Sequence, residues 1–106
     1  MGFQVGSALL DACVLSVLQQ GDTYGYVLTH TLKNVLGVSE STLYPVLKRL
    51  QRDGCLTVYD QSYQGRNRRY YTITHKGIEQ VGIYRKDWVS YRGNVDRLVC
   101  GGGSDE

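Results

Sequence analysis

Three arginines lie within four positions of the chain: Arg66, Arg68 and Arg69. The guanidinium group binds phosphate oxygens through several donors and also fits the narrow minor groove of DNA. A chain reversal between two strands does not require such charge for its own stability. The arginines therefore indicate a surface that grips a polyanion. The competing interpretation is a solvated loop without a partner.

A second group of candidate contacts combines hydroxyl groups with cations. It consists of Ser39, Ser41, Thr42, Tyr44, Lys48 and Arg49. Hydroxyls donate hydrogen bonds to phosphate and base oxygens, and the N-terminus of a helix also attracts phosphate. The alternative is that Ser39 and Ser41 only cap a helix while the two cations form a solvated face.

The charges are unevenly distributed, although the net charge of the 106 residues is only +2. Residues 48–76 contain seven Lys or Arg against two Asp, a local charge of +5, so the rest of the chain carries −3. Clustered positive charge favours nucleic acid as a partner. The hydrophobic fraction of 42% is ordinary and predicts a folded globular unit.

Patterns typical of catalysis and metal binding are missing from the sequence. His30 and His75 have no Ser or Cys partner in a recognisable motif, and there is no glycine-rich phosphate loop. Cys13, Cys55 and Cys100 are odd in number and far apart, which argues against a disulfide framework or a zinc site. We expect no enzyme activity, no cofactor, no metal and no membrane span, and a cytoplasmic location.

Apolar periodicity and capping residues predict three helices in the first half of the chain. They span residues 5–20, 24–36 and 39–54. Gly37 ends the second helix, and the very short connection that follows is typical of a helix-turn-helix. Pro45 removes a hydrogen bond inside the third helix. Pro45 destabilises the helix less if Ser41 rather than Ser39 is the cap, because Pro45 then lies nearer the first turn.

Two segments rich in β-favouring residues, 56–59 and 70–73, follow the helices. They predict a hairpin whose tip is a long basic loop over residues 60–69. The order of elements predicts a mainly α fold with a small β-hairpin. We interpret it as a winged helix-turn-helix over residues 1–74, with its wing at about 56–74, followed by a long C-terminal dimerisation helix.

That last helix is predicted over residues 75–100, with Thr74 as its cap. Apolar and aromatic residues recur along it at intervals of three and four, which is the narrow seam of a coiled-coil-like helix. The seam residues are Val81, Tyr84, Trp88, Tyr91, Val95 and Leu98. Because such a helix is about 38 Å long, more than one small domain covers, we expect a partner on the seam. Residues 101–106 are predicted to be a flexible tail.

Four motifs occur in a distinctive order along the chain. They are DTYGY at 22–26, STLYPVLKRL at 41–50, DG at 53–54 and RYYTITHKG at 69–77. Their order and gaps resemble the PadR family of bacterial transcriptional regulators over about residues 8–99. The resemblance implies the short subfamily, which has a single C-terminal dimerisation helix. It also implies a regulator rather than an enzyme, and a repressor more often than an activator.

The resemblance further implies a homodimer on double-stranded operator DNA. In such a dimer the last helix packs against the first helix of the other subunit. The third helix enters the major groove beside the wing, so both groups of residues named above are the implied DNA contacts. Half-sites of a roughly palindromic operator then lie about 34 Å apart. The competing hypothesis is a protein-interaction module whose basic wing meets an acidic protein surface.

Trp88 has two alternative interpretations. In some relatives of the short subfamily, a tryptophan at this place lines a cavity at the dimer interface and stacks on flat aromatic effectors. The resemblance therefore implies a site for a planar aromatic molecule formed by Trp88, Tyr84 and Tyr91. The alternative is that these rings only fill the core of the dimer. Arg92 is compatible with an anionic ligand or with an interface ion pair.

Overall fold

Within residues 6–101, the part of the chain that the computed structural model describes, there are four helices and three strands. They are α1 (Ser7–Gln19), β1 (Thr23–Tyr24), α2 (Gly25–Leu36), α3 (Glu40–Arg52), β2 (Leu56–Tyr63), β3 (Arg66–Ile73) and α4 (His75–Val99). The predicted mainly α fold with a small sheet and a long last helix is confirmed. The predicted helix start at residue 5 and the tail residues 102–106 lie outside the described residues.

Helix α1 is apolar on almost every side, and other elements surround it. It contacts α2, α3, α4 and β3, and Val14, Leu15 and Leu18 are almost completely buried. Leu28 of α2 and Leu43 of α3 complete the centre of the core. A helix without a polar face must be enclosed in this way, because each exposed apolar side chain loses the free energy of transfer out of water.

Helix α3 starts at the cap that the sequence first suggested. The Ser39 side chain accepts a hydrogen bond from the backbone N–H of Thr42 at 3.2 Å, so the alternative cap at Ser41 is wrong. Pro45 therefore lies inside the helix and leaves the carbonyl of Ser41 without its usual helical donor. Pro45 is exposed, so water can reach that carbonyl.

The predicted long loop at residues 60–69 is wrong. Strands β2 and β3 pair all the way from Leu56 with Ile73 to Tyr63 with Arg66, and a two-residue turn joins them. That turn consists of Gln64 and Gly65, both at positive φ, which matches the right-handed twist of the strands. The outer half of the hairpin is polar on both faces because it projects into solvent, so it lacks the alternation by which strands are recognised.

The sequence also did not reveal strand β1. Thr23 and Tyr24 pair with Tyr71 and Tyr70 of β3, which gives an antiparallel sheet of order β1-β3-β2. Two residues are too few to show a period. Tyr24 is at the same time the residue before α2, so the sheet is joined directly to the start of that helix.

Helix α4 is only partly covered. Thr74 caps it as predicted, accepting a hydrogen bond from the N–H of Gly77 at 3.1 Å. Gly77 and Val81 are buried, whereas Leu98 is 86% exposed. The radius of gyration is 16.1 Å, against about 13 Å for a compact domain of this length, because the second half of α4 extends beyond the domain. No helix between residues 6 and 101 is long and apolar enough to cross a bilayer.

Gly77 permits the close approach of α4 to the start of the sheet. A Cβ at this position would overlap the carbonyl oxygen of Cys55 and lie 2.7 Å from Cγ1 of Ile73. We expect Gly77→Ala to lower the free energy of unfolding by about 2–3 kcal/mol, as measured by chemical denaturation. Gly93→Ala is the control, because the same helix has open space there and alanine is the better helix former. Equal stability of the two variants would contradict this packing.

Candidate nucleic-acid interface and adjoining cavity

The outer side of α3 presents most of the predicted hydroxyl and cationic residues to solvent. Ser41, Thr42, Tyr44 and Lys48 are all exposed. Ser39 is also exposed, but its hydroxyl is engaged: besides capping α3 it lies 3.0 Å from the hydroxyls of both Ser41 and Thr42. These side chains lie on the face of α3 opposite its buried leucines, as the apolar stripe predicted.

Arg49 does not belong to this exposed face. Its guanidinium makes a two-pronged ion pair with Asp11 of α1, with Nη1 2.9 Å from Oδ2. The hydrogen bonds to Asp11 raise the pKa of Arg49 above its ordinary value. Both side chains are partly covered, at 32% and 25% exposure. The structure thus gives Arg49 a role in joining α1 to α3.

The alternation of side chains along β3 places the three arginines on two faces of the wing. Arg69 lies on the face that continues into the core through Tyr71 and Ile73. Arg66 and Arg68 lie on the opposite, outer face. The dense arginine group of the sequence is therefore not one cluster in space.

Each face gives its arginines different neighbours. Nε of Arg69 lies 3.7 Å from a carboxylate oxygen of Asp60, and this pair is exposed. Arg68 stacks between two rings, with its guanidinium carbon 4.2 Å from the ring centre of Tyr24 and 4.0 Å from that of Tyr63. Arg66 adjoins the turn and is exposed.

Tyr71 is a half-buried residue on the inner face of the wing, where the sheet packs against the core. Burial raises the pKa of its phenol, Tyr44 on α3 raises it further, and Arg69 lowers it. The wing thus presents Arg69 to solvent on the same face that, nearer the core, carries the half-buried Tyr71.

A cavity of about 280 Å³ lies between α1, α2 and α4. Trp88 and Tyr84 line it together with Cys13, whose pKa is raised by burial. Thr31, Val35 and other side chains of α2 form another wall. Of the predicted effector residues, the structure brings Trp88 and Tyr84 together here.

Of the other predicted seam residues, Val81 also lines the cavity, and those after Trp88 do not. Tyr91 is 64% exposed and does not line it. Val81 is buried within the protomer itself, while Val95 is half-buried and Leu98 is exposed. The regularly spaced residues of α4 therefore lie in two different environments. The inner ones pack on α1, and the outer ones are not covered by their own protomer.

Between residues 6 and 101, no group of three His, Cys, Asp or Glu side chains is placed to hold a metal ion. The three cysteines are free thiols: Cys55 is buried, Cys13 is half-buried and Cys100 is exposed. His30 stacks on Tyr26 at a centroid distance of 5.5 Å on α2.

A helix-turn-helix followed by a small antiparallel sheet defines the winged-helix class of DNA-binding domains. The model of the transcriptional regulator PadR-like family matches residues 14–82. The chain belongs to this family of transcriptional regulators.

The chain is also similar to solved structures, one of which is named PadR-like, and to a curated protein. The chain is similar to smu.1704 from Streptococcus mutans UA159, with 35% identity, a TM-score of 0.86 and 100% of each chain covered. It is also similar to a PadR-like transcriptional regulator from Bacillus cereus, with 32% identity and a TM-score of 0.78 over 85% of this chain and 90% of that one. An uncharacterized protein of Lysinibacillus sphaericus is 30% identical over 98 residues, which is 87% of this chain and 89% of that protein.

Sequence reasoning missed the tyrosines on the outer face of the wing. Tyr59 stacks on Tyr70 with centroids 5.4 Å apart, and Tyr70 also contacts Tyr24. The hydroxyl of Tyr59 donates to Asp22 at 2.9 Å, and this bond raises the pKa of Tyr59. The available signal was three tyrosines, Tyr59, Tyr63 and Tyr70, on either side of a Gln-Gly turn, and they became meaningful only once the register of the hairpin was known.

Proposed function

We propose that this chain is a homodimeric repressor that binds a roughly palindromic operator in double-stranded DNA and works in the cytoplasm. The observation that carries the proposal is the group of exposed hydroxyl and cationic side chains on the outer side of α3, in a fold whose wing also exposes Arg66 and Arg69. Family membership supports DNA as the partner. The local charge of +5 over residues 48–76 supports an electrostatic attraction to phosphate.

On α3, we assign base and phosphate contacts to the exposed hydroxyl and cationic side chains. The proposed set is Ser41, Thr42, Tyr44 and Lys48, with Ser39 at its edge as the cap. Glu40 in the first turn repels phosphate at the very end of the helix. Contact with the DNA backbone is therefore most favourable near Lys48, about two turns further along. Arg49 stays outside the proposed set, because Asp11 already neutralises it.

On the wing, Arg66 and Arg69 are the arginines that we assign to phosphate. Arg66 adjoins the turn, Arg69 lies on the inner face of the wing, and both are exposed. The pairing of Arg69 with Asp60 is exposed and long, so a phosphate oxygen can replace that carboxylate at little cost.

We propose that the outer part of α4 forms the dimer interface. Tyr91, Val95 and Leu98 follow the seam of the helix, and the protomer itself leaves Tyr91 and Leu98 exposed. Covering such side chains contributes roughly 1.5–3 kcal/mol for each large apolar residue. A two-fold dimer would then place its α3 helices in successive major grooves, about 34 Å apart.

We further propose that a planar aromatic molecule binds in the cavity beside Trp88. Its volume of about 280 Å³ is close to the lower end of the range for ligand pockets. The indole of Trp88 and the phenol of Tyr84 supply flat surfaces for stacking. Arg85, also at the cavity wall, supplies a positive charge that suits an anionic substituent.

Replacement of the proposed phosphate contacts tests DNA binding. Titration of a fluorescent duplex at several salt concentrations gives the slope of log K against log salt. We expect Lys48→Gln and Arg66→Gln each to reduce the slope by about 0.9, because each removes one released counterion. Arg49→Gln is the matched control and should leave the slope near the wild-type value.

Two outcomes would contradict the proposal. Wild-type affinity that does not change with salt would exclude the phosphate interface. Retention of a protein partner after nuclease treatment, together with loss of that partner on Arg66→Gln, would favour the protein-interaction module instead.

The dimer is tested by sedimentation of variants on the exposed part of α4. We expect Leu98→Ala to raise the dissociation constant at least about tenfold, because the side chain is buried only when a second copy is present. Ile83→Ala removes an equally apolar, 62% exposed side chain away from the seam and should have little effect. A monomeric wild-type protein would overturn the dimer.

The aromatic site is tested through the single tryptophan. Acridine and naphthalene sulfonate probes should quench the fluorescence of Trp88 at saturable concentrations, and the bound probe should slow the alkylation of Cys13 while leaving that of Cys100 unchanged. Quenching without protection of Cys13 would place the probe elsewhere. No quenching across such a panel would contradict the site.

A further inference from the structure

The outer face of the wing carries a connected series of aromatic contacts that ends on Arg68. It runs from the Asp22–Tyr59 hydrogen bond through the stacked rings of Tyr59 and Tyr70 to Tyr24. Arg68 then joins Tyr24 to Tyr63 by lying between their rings. The face thus links the loop before α2 to the last residue of β2.

The register of the sheet explains why one arginine reaches both rings. Tyr24 of β1 is opposite Tyr70, and Tyr63 of β2 is opposite Arg66. Arg68 lies two residues from each of these partners along β3, so both rings are its diagonal neighbours. Diagonal neighbours on one face of a sheet are within reach of long and aromatic side chains.

This arrangement has a mechanical consequence, because β1 pairs with β3 only as far as Tyr70. Beyond that residue the wing has two strands, and a two-stranded hairpin is marginally stable by itself. Arg68 connects this unsupported part to Tyr24, which immediately precedes α2. The contact therefore ties the outer wing to the helix-turn-helix.

We propose that Arg68 is a positioning residue, which through Tyr24 and Tyr63 fixes the direction of the wing relative to α3 before DNA binds. The effect on DNA affinity rests on the proposed function. A wing that is already ordered in the free protein loses less conformational entropy when DNA binds. It also divides the arginine group by role. Arg66 and Arg69 contact phosphate, while Arg68 holds the wing on which they lie.

The first test uses the free protein. Tyr63→Leu removes one ring of the sandwich without changing the charge, and Tyr63→Phe keeps the ring face. We expect the NMR order parameters of the wing amides from Gln61 to Arg68 to fall from roughly 0.85 towards 0.6 in the leucine variant and to stay high in the phenylalanine variant. Unchanged order parameters in Tyr63→Leu would overturn the inference.

The second test uses a fluorescent 30-base-pair duplex of random sequence. Tyr63→Leu should weaken binding roughly 2- to 5-fold, the loss expected for one exposed cation–π contact, and Tyr63→Phe should bind as the wild type does. In the Arg68→Gln background, Tyr63→Leu should have no further effect, because the two side chains act through the same contact.

The remaining outcomes separate the two proposals. Suppose that Tyr63→Leu weakens binding equally in the wild type and in the Arg68→Gln background, and that the wing stays rigid. Tyr63 itself would then contact DNA, and the inference would be overturned. If Tyr63→Leu keeps full affinity for DNA while Arg68→Gln loses affinity, Arg68 contacts phosphate directly. That result would also overturn the inference. If the wild type does not bind the duplex, the proposed function fails, and the order parameters still decide whether Arg68 orders the wing.

Discussion

The burial of α1 is the constraint on which the rest of the structure depends. Because this helix has no polar face, α2, α3, β3 and the first half of α4 are all held against it. The same helix lines the cavity beside Trp88 and carries Asp11, which is bonded to Arg49 of α3. The proposed effector site and the proposed DNA-reading helix therefore share one rigid support.

The second half of α4 does not reach this core. A small chain has only enough core to cover the first turns of its last helix, so Tyr91 and Leu98 are left exposed. Exposed apolar side chains in one seam are costly to leave in water, and a second copy of the chain is the cover that our proposal supplies. In the proposed dimer, one contact would both cover these side chains and set the spacing of the proposed DNA-reading helices.

In the wing, electrostatics depends on strand geometry. Alternation along β3 gives Arg68 and Arg69 opposite faces and different partners, aromatic rings for one and a carboxylate for the other. An exposed ion pair is weak enough for phosphate to replace the carboxylate of Asp60, whereas two rings hold Arg68 on the outer face. For this reason the position of an arginine in the sheet matters more than its position in the sequence.

The sequence by itself determined the order of the four helices and the hairpin, the cap at Thr74, the end of α2 at Gly37 and the basic middle of the chain. These features depend on local periodicity and on single side chains, so a linear reading detects them. Only the tertiary structure decided which strand residues face each other, that Arg49 is paired with a residue 38 positions away, and that Trp88 adjoins a cavity while Tyr91 does not. Contacts between distant residues depend on packing and register, which no local pattern specifies.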